Sequence, residues 1–96
     1  MTKPRLEIRY CPQCGWLLRA AWLAQEALTT FRDELTEVAL IPGAVGQFEI
    51  TLDATTTLWE RKRDAGFPDA AELKRRIRDV VSPSRDLGHV ERSPPD

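Results

Sequence analysis

The chain has 96 residues, 14 of them basic and 15 acidic, for a net charge of −1, and 42% of it is hydrophobic. That is one domain able to close a core without staples, and so balanced a charge supplies no global attraction to nucleic acid or an anionic membrane. No run approaches the roughly 18–20 apolar residues of a membrane span, and Met1-Thr2-Lys3-Pro4-Arg5 carries no apolar signal core. The expected compartment is the cytoplasm, where a Cys pair is more often catalytic or metal-binding than structural.

In chain order, Arg5 to Tyr10 alternates, with Leu6, Ile8 and Tyr10 on one face and Arg5, Glu7 and Arg9 on the other. That predicts a strand with one wet face. The only two cysteines follow, in Cys11-Pro12-Gln13-Cys14-Gly15-Trp16. A helical pattern then runs from about 12 to 33. Trp16, Ala20, Leu23, Ala24, Ala27, Leu28 and Phe31 form its core stripe. Leu18 and Trp22, one turn apart, fall on the polar side and form a candidate partner patch.

Residues 35–41, apolar almost continuously at their end, predict a central parallel strand. Pro42-Gly43 and Gly46 bound a turn. Residues 47–52 alternate again, and the β-branched and aromatic run 55–61 predicts a hairpin with them. Gly66-Phe67-Pro68-Asp69 opens a second helix with Pro68 at its first helical position. Ala70, Leu73, Ile77, Val80 and Val81 are its apolar stripe, with Lys74, Arg75, Arg76 and Arg78 wet. Ser82-Pro83 ends it. The division expected is a domain over 1–83 and a flexible tail over 84–96 that holds His89, the sole histidine. The order β-α-β-β-β-α predicts a two-layer α/β (α+β) sandwich. Both helices share one face of a four-stranded mixed sheet, and the other face is solvent-exposed.

The chemistry lies in the Cys pair. With Cys11 at the N-cap of the long helix and Pro12 in its first turn, a Cys11 thiolate would accept from the N–H of Gln13 and Cys14. The positive helix end would favour it further, giving a thiol pKa of roughly 3.5–7.5 against about 8.5 for a free thiol. Cys14, one turn on, is within bridging range, so attack by Cys11 and resolution by Cys14 is the expected cycle. Gly15 leaves room for a partner backbone and Trp16 can wall the site. As a staple, so short a loop would contribute only about 2 kcal/mol. Structural zinc usually takes four Cys or His ligands, and two Cys with one His fall short unless a second copy of the chain shares the site.

With the motif so placed, the chain resembles the selenoprotein W/T/H (Rdx) family of thioredoxin-like proteins. The resemblance covers most of residues 5–88. It is carried by Ile8-Arg9-Tyr10-Cys11-Pro12-Gln13-Cys14-Gly15-Trp16, Pro42-Gly43, Gly46, Phe48-Glu49-Ile50 and Gly66-Phe67-Pro68. It is similar to a bacterial-type member in which Cys14 occupies the position where animal relatives carry selenocysteine. The resemblance implies a thioredoxin-like fold and a thiol redox role, with no bound cofactor. Glutathione (as a co-substrate), thioredoxin or client proteins with thiols are the implied partners. It also sets Cys14 against Cys11 as the reactive sulfur. Pro42 is the nearest residue to the cis-proline of thioredoxins, at a turn unlike theirs.

Arg61-Lys62-Arg63 and Lys74-Arg75-Arg76-Arg78 are expected to be a solvated face balanced by nearby acids, not a nucleic-acid or membrane surface. Two functions from different classes follow: a thiol–disulfide oxidoreductase, and a redox-sensitive adaptor that binds partners without turnover. Nothing in the sequence sets an oligomeric state.

Overall fold

The computed structural model describes residues 3–88. Alternation makes Arg5–Tyr10 strand β1, followed by helix α1 (Leu17–Thr30) and strands β2 (Glu37–Pro42), β3 (Phe48–Leu52) and β4 (Thr56–Glu60). Helix α2 (Ala70–Val81) ends the order. The strands form one mixed sheet in the order β2-β1-β3-β4. β1 runs parallel to β2 and antiparallel to β3, which pairs antiparallel with β4. Both helices cover one face. There Leu6, Ile8, Phe48 and Ile50 meet Leu23, Ala27, Phe31, Leu73 and Ile77 in a single core. The expected two-layer α+β architecture is the one observed.

Several expectations are corrected by packing. β2 is parallel to β1 but lies at the sheet edge. Its apolar residues are half-buried, because α1 covers one face and no strand closes its outer side. α1 starts five residues later than the pattern suggests, and Leu28 is 41% exposed, off the core stripe. Pro68 precedes α2, whose N-cap is Asp69; its carboxylate accepts the Glu72 N–H at 2.7 Å. Val80 is exposed, whereas Lys74, expected wet, is buried against α1 with its ammonium 2.8 Å from Glu26. An aliphatic stem and one well-placed carboxylate let a lysine sit there.

The uncovered sheet face is drier than alternation implies. Glu7 is 6% exposed, because the flanking Arg5 and Arg9 side chains reach over it and pair with its two oxygens. Thr51, its cross-strand neighbour, buries a hydroxyl with no hydrogen-bond partner among the described residues. The packed domain also runs past Pro83. Leu87 is buried, and Arg85 pairs with Glu34 at 2.5 Å while its guanidinium lies over Phe31. The rest of the expected tail, with His89, lies outside the described residues.

The outer edge of β4 is plugged by side chains. A bulge leaves Leu58 unmatched, and its carbonyl accepts from Arg76 at 2.7 Å and Arg63 at 3.3 Å. The Asp64 carboxylate accepts the Glu60 N–H at 2.9 Å and pairs with Arg63 and Arg76. Such plugs stop another strand from pairing.

Burial alone would raise the Asp64 pKa. The Glu60 N–H and the Arg63 and Arg76 side chains outweigh it and hold the carboxyl below its ordinary value. Glu60 is lowered too, chiefly by the N–H groups of Lys62 and Arg63. A carboxylate whose pKa falls on folding stabilises fully above its unfolded pKa, and the gain is lost as pH falls through the folded value. Thermal stability should therefore decline as pH drops below about 4, and Asp64→Asn should flatten that decline while lowering stability at neutral pH. Parallel melting curves for wild type and variant across this window would show that Asp64 does not latch the edge.

Candidate thiol–disulfide site

β1 carries the chain to the site end of the sheet. There the Tyr10 carbonyl accepts the Gly43 N–H at 2.7 Å, tying the strand end to the β2–β3 turn. Cys11 follows at once and is fully buried, whereas Pro12, Gln13, Cys14 and Gly15 are exposed. The segment is a tight turn, closed by the Gly15 N–H on the Pro12 carbonyl at 3.2 Å. Gly15 has φ +76°, a conformation that glycine adopts without steric cost. This left-handed residue separates the turn from α1, whose N-cap, Trp16, offers no side-chain hydrogen bond.

The helix-cap reading of Cys11 is thereby corrected. Pro12 is not the first helical residue, and Cys14 is not a turn inside the helix. One element of that reading survives in another form. The Cys11 sulfur accepts the Cys14 N–H at 3.1 Å, supplied by the turn and not by a helix end; no such bond comes from Gln13. Cys11 and Cys14 are joined as a disulfide across a Cα separation of 5.3 Å.

The two sulfurs sit in different surroundings. Cys11 is closed off inside the fold, and Cys14 faces solvent. Of the two residues only Cys14 is open to solvent, and one N–H is directed at the Cys11 sulfur.

Beside the turn stands an aromatic wall. Trp16, half-buried, meets Phe67 edge-on at 4.8 Å and Phe48 at 6.3 Å, and Phe48 meets Phe67 at 5.0 Å. The Arg61 guanidinium lies 5.2 Å over Trp16 and donates to the Gly46 carbonyl at 2.9 Å. Arg19 lies 4.1 Å over Phe67. Sequence reasoning placed Trp16 here and missed the other four in this role. They come from β3, α1 and the loop after β4, and no local spacing brings them together. The nearest signal was Phe67 in the Gly-Phe-Pro step before α2.

Leu18 is 83% and Trp22 46% exposed, and Leu17 beside them is exposed too. Pro42 pairs with Tyr10 in β2, and among the described residues no peptide bond is cis. An open cavity of about 250 Å³ at the same end is lined by residues 44–47, Glu60 and Lys62. Among the described residues no three His, Cys, Asp or Glu side chains gather as a metal-binding group. No helix among them is long and apolar enough to cross a membrane.

The model of the Rdx family matches residues 5–79, from the first residue of β1 into α2. The chain belongs to the Rdx family. Among solved structures, it is similar to a protein from Bordetella parapertussis, with 55% identity and a TM-score of 0.78, over 81% of this chain and 98% of that one. It is also similar to the selenoprotein W-related protein from Vibrio cholerae, with 49% identity and a TM-score of 0.80, over 84% of this chain and 100% of that one. No curated protein matches. Rdx membership and the bridged Cys11–Cys14 pair support a redox-type function.

Proposed function

We propose that the chain is a thiol–disulfide oxidoreductase that cycles Cys11 and Cys14 between dithiol and disulfide in the cytoplasm, serving redox homeostasis or antioxidant defence. The observation that carries the reading is the unequal exposure of the two sulfurs within one turn. In the reducing direction, the Cys14 thiolate attacks one sulfur of a substrate disulfide and the other substrate sulfur leaves as thiolate. Cys11 then attacks the Cys14 sulfur, breaks the mixed disulfide and releases the second substrate thiol. Two electrons have passed to the substrate, whose two thiolates take up protons. A thiol reductant such as glutathione or thioredoxin attacks Cys14, with Cys11 departing into its N–H contact, and a second thiol (another glutathione, or the second thioredoxin cysteine) then attacks the reductant's sulfur and frees Cys14 as thiolate.

Reduced protein mixed with a model protein disulfide should yield two substrate thiols for each Cys11–Cys14 bridge formed. If the bridge forms under oxidant yet no electrons reach any disulfide, the cycle is not catalytic. The redox-sensitive adaptor then stands in its place, a reading that exposed Leu17, Leu18 and Trp22 favour.

A further inference from the structure

Several arginines are neutralised by carboxylates: Arg5 and Arg9 by Glu7, Arg63 and Arg76 by Asp64, Arg85 by Glu34. The two beside the Cys turn are not. Arg19 and Arg61 lie on Phe67 and Trp16, and neither has a carboxylate partner among the described residues. Glu26, the acid closest to Arg19 in sequence, pairs with Lys74, and the acids closest to Arg61 are engaged as well. Glu60 accepts the N–H groups of Lys62 and Arg63, Asp64 latches β4, and Asp69 caps α2. Among the described residues, two guanidiniums at the end where Cys14 is exposed thus carry no ion-pair partner, Arg61 being offset through space by the Glu60 carboxylate. Lys62, exposed on the neighbouring loop, adds to the same sign.

We propose that Cys14 takes its sulfur partners from acidic segments of protein substrates, with Arg19 and Arg61 receiving carboxylates that flank the substrate sulfur. The inference rests on the thiol–disulfide reading and adds its substrate class. Guanidiniums held over rings suit the role, because the ring fixes the group in place while the Nη groups, which for Arg61 are those not donating to Gly46, can meet a carboxylate. A protein segment fits better than a small charged thiol. Leu18 and Trp22 continue the surface along α1 with apolar area that only a larger partner would cover.

The test uses reduced Cys11→Ser protein, in which Cys14 is the remaining thiol. The probes are three peptides of equal length, each carrying one cysteine as its thiopyridyl disulfide, flanked by Glu, Gln or Lys. Release of thiopyridone reports attack. A thiolate alone would disfavour the acidic probe. Two nearby cations should reverse that order, giving the Glu peptide on the order of tenfold over the Lys peptide at low salt, and less at high salt. Adding Arg19→Gln and Arg61→Gln should abolish the preference. Equal rates for all three peptides would overturn the charge selection and leave the thiol chemistry standing. Thiopyridyl glutathione reacting as fast as the acidic peptide would overturn the protein-segment occupant. No reaction with any probe would remove the thiol–disulfide reading as well.

Discussion

Challenged with a substrate disulfide, the Cys11→Ser protein should accumulate a stable mixed disulfide on Cys14, whereas Cys14→Ser should accumulate none. The loss expected for Cys14→Ser is at least a hundredfold in the rate of the first step. Cys11 is 0% exposed, and its sulfur would have to leave the core to meet a bulky substrate. Cys11→Ser should keep that first step near the wild-type rate and lose the second, since no thiol remains to attack Cys14. A serine hydroxyl still accepts the Cys14 N–H that now meets the sulfur at 3.1 Å, so the turn should keep its shape. Mass spectrometry of the trapped species decides the matter. Trapping on Cys11 in the Cys14→Ser protein would mean that the turn opens before it reacts, and that the buried sulfur is the attacker.

This assignment is where sequence reasoning and structure diverge most usefully. The strands, both helices and the bridge were legible, because each is local: alternation for β1 and β3, a 3.6-residue period for α1 and α2, and three-residue spacing for the sulfurs. The preference for Cys11 rested on a boundary, the start of α1, and boundaries depend on backbone detail that periodicity does not carry. One glycine with φ +76° moved the helix start to Leu17 and took the helix dipole away from Cys11. Lys74 and Glu7 misled for another reason. A charge in a polar slot reads as exposed, and only the partner's position, Glu26 on α1 or Arg5 and Arg9 beside it, shows that it is covered. The Arg61–Trp16 and Arg19–Phe67 contacts span 45 and 48 residues by subtraction of their numbers. The chain pattern holds no trace of them.

The second large effect should come from Phe48, which joins stability to the site. It is fully buried at the start of β3, paired with Tyr10 one residue before Cys11, and stacked edge-on against both Trp16 and Phe67. Truncation to alanine loses the ring's transfer free energy and leaves a cavity, at about 3–5 kcal/mol for a buried Phe. For a domain of this size that lowers the melting temperature by roughly 15–30 °C, a large fraction of a stability that is about 5–15 kcal/mol in total for native domains. Phe48→Leu refills much of the space and should cost less than half as much. The same ring supports the wall beside the exposed sulfur, so Phe48→Leu should also loosen Trp16, read as a red-shifted emission in a protein whose Trp22 and Trp59 are replaced by Phe. Denaturant melts of the two variants separate the contributions. A loss under about 1 kcal/mol for Phe48→Ala would show that the core closes without the trio, and that Trp16 is held at the Cys turn by the Arg61 contact instead.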